Sequence, residues 1–191
     1  MSTAPSPLQM MQQLIATPSV SCVNPSIDQS NLPVIDLLAN WLDTLEFRVE
    51  IMPVATGKAN LIATRGRGSG GLVLAGHTDT VPYDEHRWQH DPFKLTDADN
   101  RFYGLGTSDM KAFLALAIEA AISFNPDDYQ QPLIILATAD EETTMDGAKA
   151  LVKASQPQAR YAIIGEPTGM KPVRMHKGIL MEAIRITGLA G

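Results

Sequence analysis

The sequence predicts a three-layer α/β/α sandwich, a mostly parallel central sheet with helices over both faces. Apolar stretches of strand length alternate along the chain with longer stretches of helical periodicity. Leu72 to Ala75, Pro132 to Thr138 and Tyr161 to Ile164 are almost continuously apolar, as strands buried on both faces must be. The composition, 45% hydrophobic and 19% charged over 191 residues, supplies enough apolar surface for one domain with a real core.

In chain order, a first helix is expected from Pro7 to Ala16. A second runs from about Asp28 to Leu45, where Leu32, Ile35, Leu38, Trp41, Leu42 and Leu45 recur at helical spacing. After Glu46 the pattern turns to alternation, with Phe47, Val49 and Ile51 on one side of a short strand. Leu61 to Thr64 and Leu72 to Ala75 follow, separated by GRGSGG (Gly66 to Gly71), which reads as a hairpin turn joining them. Met110 to Ser123 is a strong helix ended by Asn125-Pro126, since the residue before proline is driven out of the helical region. A strand from Pro132 to Thr138, a helix from Asp146 to Ala154 and a strand from Tyr161 to Ile164 continue the alternation. Gly178 to Gly191 alternates again and ends in GLAG, a strand leading into a glycine turn.

A net charge of −6 without any basic block argues against nucleic-acid or anionic-membrane partners, which need clustered Lys and Arg. No apolar run approaches the ~20 residues of a membrane span, and the first residues lack the pattern of a signal peptide. The lone Cys22 has no disulfide partner within the chain and reads as a small buried hydrophobe. A cytoplasmic location is the expectation.

The chemistry is concentrated where strands end. His77 and Asp79 follow Leu72 to Ala75; Asp140, Glu141 and Glu142 follow Leu133 to Thr138; Glu166 follows Tyr161 to Ile164; Asp109 precedes the long helix. In open α/β sheets the ligand crevice lies beyond the carboxyl ends of the strands. An imidazole and several carboxylates converging there suit a borderline cation such as Zn²⁺. Taken singly, His77 reads as a surface or satisfied core histidine, Asp109 as a helix cap, Glu141-Glu142 as a solvated loop and Glu166 as an ordinary turn residue; all four at one sheet edge would be unrelated accidents. Asp79, two residues from His77, is placed to accept the imidazole's second N–H and fix its tautomer. Glu141 and Glu142, in extended backbone, would point in different directions, one toward metal and one toward the attacking water as general base. His86 and His90 are spaced i to i+4, but Pro92 argues against a helix there, and neither is taken as a ligand. His176 is left without a role. No nucleophilic Ser or Cys arrangement and no phosphate-binding loop is present.

Together GHTDTVP, YGLGTSDMKA, ATADEET and IIGEPT, in this order and spacing, resemble the aminoacylase and carboxypeptidase superfamily of two-zinc exopeptidases and amidohydrolases. ATPSVS near the start, the RW..DPF stretch (Arg87, Trp88, Asp91 to Phe93) and PVRMHKG make the chain look most like the acetylornithine deacetylases, with the succinyl-diaminopimelate desuccinylases next. The resemblance implies a zinc-exopeptidase-like catalytic domain. It implies that His77, Asp109 and Glu166 hold one zinc, and that Asp109 bridges to a second zinc also bound by Glu142. Glu141 would be the general base, and Asp79 the residue that orients the histidine. A cis peptide is implied between Asp109 and Met110.

Family members run to roughly twice this length, with a dimerising lid domain inserted after the strand that here ends at Gly191. Residues 1–178 are therefore expected to be the amino-terminal part of the metal-binding domain, truncated before the lid, and 179–191 the first strand leading into it. The remaining ligand of the second zinc, a histidine, and the contacts to substrate carboxylate belong to the missing part. The expected activity is hydrolysis of an N-acetylated amino acid, N-acetyl-L-ornithine, to the amino acid and acetate, by a homodimer holding two Zn²⁺, with Co²⁺ as a possible replacement. A small-molecule N-acyl amino acid is the expected partner, and the chain by itself is expected to hold one complete zinc site and little activity. The other expectations are a related deacylase or carboxypeptidase, and, from a different class, a non-catalytic zinc-binding fragment.

Overall fold

Among the described residues, four strands of a five-stranded main sheet point the same way, and the fifth, reversed, carries its first residue back to the site. The computed structural model describes residues 4–125, 128–175, 178 and 184–188. Its elements are α1 (Pro7–Ala16), α2 (Leu32–Thr44), β1 (Arg48–Ala55), β2 (Lys58–Arg65), β3 (Leu72–His77), β4 (Thr96–Ala98), β5 (Arg101–Tyr103), α3 (Lys111–Ile122), β6 (Leu133–Thr138), α4 (Asp146–Ala154) and β7 (Tyr161–Ile164). The strand order is β1-β2-β6-β3-β7, with β4 and β5 forming a separate two-stranded ribbon. β6 and β7 flank β3 in parallel, while β2 is antiparallel to both β1 and β6. The mostly parallel α/β sheet expected from the sequence is thus present.

Two expectations about connections need correction. GRGSGG does not close a hairpin, because β6 lies between β2 and β3 and pairs with both. The strand from Leu133 to Ala137 is buried throughout, so it takes the central position, and the glycine run must cross over its end. A Cβ on Gly71, which has φ +90°, would strike the Pro132 carbonyl oxygen, so this crossing requires glycine. The hairpin instead joins β1 and β2, where Ala55 pairs with Lys58 across Thr56-Gly57. The second helix begins at Leu32 rather than Asp28: Asn31 is its N-cap and Pro33 occupies its first turn.

One face of the sheet carries most of the core. Met10, Leu14, Ile35, Leu38 and Leu42 from α1 and α2, and Leu114 and Ile118 from α3, pack on Leu61, Ala63, Leu74 and Ile135. On the other face Ile62, Val73, Ile134 and Leu136 meet Leu151 of α4. Among the described residues α4 covers only part of that face, and Ile164 of β7, level with Ala75, remains 63% exposed. Among the described residues no helix is long and apolar enough to cross a membrane. Of the strand expected over Gly178 to Gly191, the structure describes only 178 and 184–188; the rest, like His176 and Pro126, lies outside the described residues.

Candidate metal centre

His77 is the last residue of β3 and is 1% exposed, so its ring forms the floor of the site. Its Nδ1 lies 2.9 Å from the backbone carbonyl oxygen of Asp79. A carbonyl only accepts, so Nδ1 carries the hydrogen and Nε2 is left facing outward. Nε2 is 3.1 Å from Asp109 Oδ1, 3.9 Å from Glu141 Oε2 and 4.0 Å from Glu166 Oε1. A neutral imidazole lone pair aimed at carboxylate oxygens is repulsive unless a proton or a metal ion sits between them, so the donor set fits a cation.

The ligand-type atoms of His77, Asp109 and Glu166 lie within 4.8 Å of one another, and so do those of His77, Glu141 and Glu142. The structure therefore gathers every candidate ligand and the candidate base around one imidazole. Asp109 is not a helix cap: Met110 holds that position in α3, without a side-chain cap bond, and the Asp109 carboxylate faces His77. The Asp109–Met110 peptide is cis, as the resemblance implies. α3 comes this close because a Cβ on Gly165 would collide with the Phe113 ring. Glycine there leaves room for the helix over the ends of β3 and β7.

The expected extended backbone at Glu141-Glu142 is replaced by a turn over 141–144, entered through Asp140 at φ +55°. The turn lets both carboxylates approach His77 instead of diverging. Asp79 has a second task as well. Its Oδ1 lies 3.6 Å from His77 Nδ1, too far for a hydrogen bond, while its two oxygens accept the backbone N–H groups of Glu141 (3.2 Å) and Glu142 (3.1 Å). Asp79 orients the histidine through its carbonyl and the glutamates through its carboxylate.

The crowding of negative charge shows in the ionisation of the site. Burial, then the charges of Asp109, Glu141 and Asp79, push the Glu142 carboxyl up to about 7 against the opposing pull of His77. Burial, with Asp109 and Glu141, also raises Glu166, again against His77. Burial works against a charged His77, but Asp79, Glu141, Glu166 and Asp109 outweigh it and raise its pKa. A bound cation would relieve all three at once.

The ATPSVS segment owes its place to this site. Ser21 N–H donates to Thr80 O, Thr80 N–H donates to Ser19 O, and the Ser19 hydroxyl donates to Thr78 O at 2.7 Å, so the segment runs alongside His77 to Thr80. Lys111, buried beneath it, donates to Thr17 O at 2.9 Å, and burial lowers its pKa to about 7 despite Asp79. Sequence reading overlooked Lys58, Asn60 and Lys111. The signal was there at 58 and 60: two polar residues two apart, at the start of a strand whose next residue on that face is Ile62. His86 and His90 belong to neither ligand group, and His90 packs on Tyr103 with ring centroids 4.8 Å apart.

The acetylornithine deacetylase of Pasteurella multocida (strain Pm70) is 56% identical over 193 aligned positions, covering 100% of this chain and 50% of that protein. That of Proteus mirabilis (strain HI4320) is 53% identical over 189, covering 98% and 49%. The chain thus spans about half the length of the curated relatives it matches. Among solved structures, human carnosine dipeptidase 1 shares the fold with a TM-score of 0.63 at 22% identity, over 83% of this chain and 37% of that one. An M20 family metallo-carboxypeptidase of Sulfolobus solfataricus superposes with a TM-score of 0.62 at 18% identity, over 84% and 37%. The model of peptidase family M20/M25/M40 matches residues 73–180, more than half of the chain and the stretch that carries His77, Asp109, Glu141, Glu142 and Glu166. The chain belongs to peptidase family M20/M25/M40.

Proposed function

We propose that this chain is the metal-binding part of an amidohydrolase that cleaves N-acetyl-L-ornithine to L-ornithine and acetate, a step of arginine biosynthesis. The observation that carries the reading is His77 Nε2, ringed by Asp109, Glu166 and Glu141 carboxylates at the carboxyl ends of the strands. The substrate is suggested by the curated relatives, which are named for acetylornithine.

His77, Asp109 and Glu166 would hold one Zn²⁺, or Co²⁺ in its place; Asp109 and Glu142 would reach a second whose remaining ligand lies elsewhere in the whole protein. Such ions polarise a carbonyl oxygen and lower the pKa of water to about 7. Glu141 is the general base: its carboxylate takes a proton from the attacking water as the new C–O bond forms at the acetyl carbon. It passes that proton to the amine nitrogen as the C–N bond breaks, so that acetate and free amine leave. Asp79 keeps His77 in its Nδ1–H tautomer and holds the amides of Glu141 and Glu142. Homodimerisation through a lid domain and a cytoplasmic location complete the proposal for the whole protein, with 1–178 as its metal-binding portion and 179–191 leading into the lid.

In the whole protein, Glu141→Ala should lower kcat about 10²- to 10⁴-fold with zinc content unchanged. An enzyme that keeps most of its rate would remove Glu141 from the role of base. For the 191-residue chain alone, the expectation is about one tightly held zinc and little turnover, by metal analysis and an acetylornithine assay, because the second ion has only two ligands here. Robust turnover would show that this chain suffices.

A further inference from the structure

We propose that Lys58, Asp140 and Ser21 form a buried clamp that sets the Glu141-Glu142 turn against His77, which makes Lys58 and Ser21 positioning residues for the site. The inference rests on the metal-site reading above, but its geometry stands apart from any ligand.

β2 runs opposite to β6, so its first residue lies level with the residues that leave the carboxyl end of β6. Lys58 is that residue, and only 6% of it is exposed. Its ammonium group donates to Asp28 Oδ1 at 2.8 Å and lies 2.9 Å from Asp140 Oδ1. The Ser21 hydroxyl meets the same Asp140 oxygen at 2.8 Å and Thr143 Oγ1 at 2.8 Å. One carboxylate oxygen thus ties together the segment after α1, the start of β2 and the turn that bears both glutamates.

Asp140 is where a hold is needed. Its φ of +55° is a left-handed conformation that disfavours side chains, and this single residue redirects the chain from β6 into the turn. Its carbonyl oxygen accepts from Met145 N–H, and the next two amides are taken by Asp79. The turn is gripped from below by Asp79 and from the side by Lys58 and Ser21. Lys58 reaches Asp140, and Ser21 reaches Asp140 and Thr143, so each acts on the two glutamates through the turn. Burial opposes charge on Lys58, but Asp28 and Asp140 outweigh it and keep the ammonium charged.

The test compares Lys58→Met, Lys58→Arg, Ser21→Ala and Asp28→Asn in this chain. Asp28→Asn removes an ion pair of Lys58 but keeps a side-chain oxygen that can accept the Cys22 N–H beside Ser21, and it serves as the stability control. In the metal-free protein, amide hydrogen exchange over 140–145 should become about 10-fold faster in Lys58→Met and severalfold faster in Ser21→Ala. Asp28→Asn should leave it unchanged, and Lys58→Arg should restore it. In parallel, Co²⁺ titration should show affinity falling about 10- to 100-fold in Lys58→Met, with an altered visible cobalt spectrum. Exchange over 140–145 unchanged in Ser21→Ala, or faster evenly across β3 and β6 in both variants, would overturn the clamp; Ser21→Ala decides if Lys58→Met does not fold. Failure of the parent chain to take up Co²⁺ would instead sink the metal-site reading, while the exchange data still judge the clamp.

Discussion

The two faces of the central sheet are built for different ends. Among the described residues, one is buried under α1, α2 and α3 in a continuous apolar core, and the other meets α4 and a small cluster around Leu151. β2 shows the division within one strand. Ala59, Leu61 and Ala63 turn to the packed face, whereas Lys58 and Asn60 precede Ile62 on the thin face and bond to the turns around the site. Asn60 accepts Ala139 N–H at 3.0 Å and donates to Gly147 O at 2.9 Å, tying the exit of β6 to the start of α4. The packed face supplies stability by area; the thin face spends its buried positions on polar groups that fix backbone near the carboxylates.

The sharpest separation comes from His77, at the carboxyl end of β3. His77→Ala should weaken zinc binding roughly a thousandfold, one ligand's share of a binding energy of about 10–16 kcal/mol, with little change in unfolding of the metal-free chain. Equal losses in both would mean that His77 is a core residue first.

On the packed face, Leu38→Ala removes a side chain with no exposure and should lower the unfolding free energy by about 3 kcal/mol in urea titration. On the thin face, Leu151→Ala should cost about 2 kcal/mol, near the bottom of the range for such changes, because α4 covers so little. A reversed order would show that the thin face is the stronger one.

The smallest expected effect is on pH dependence. Glu142 is raised in the folded state, so between its unfolded value near 4.5 and about 7 the folded protein binds more protons than the unfolded one. Its contribution to the stability of the metal-free chain is therefore present at low pH and lost as pH rises through about 7. Zinc affinity should move the other way, strengthening as pH rises and the Glu166 carboxyl, also raised by burial against the pull of His77, gives up its proton. Thermal unfolding with and without Zn²⁺ from pH 4.5 to 7.5 checks both signs.

Much of this was legible in the sequence. The strands after which His77, Glu141-Glu142 and Glu166 appear were readable because apolar runs of strand length are distinctive, and α1, α4 and β7 lie where periodicity put them. The helix boundary at Asp28 was misplaced because Asp28 is used as the partner of Lys58, a contact across 30 positions that no local pattern records. The hairpin at GRGSGG was misread for a similar reason: a glycine turn reports that the chain bends, not which strand it bends toward.

By itself, the sequence determined the class of fold, the identity of the candidate ligands and the edge of the sheet at which they would meet, because hydrophobic periodicity and residue chemistry are local properties. Only the tertiary structure decided that β6 separates β2 from β3, and that Asp109 faces His77 instead of capping α3. It alone showed that Asp79 divides its carbonyl and carboxylate between the histidine and the two glutamates. These are matters of register and of side-chain hydrogen bonds between distant segments, and they are settled when the sheet assembles.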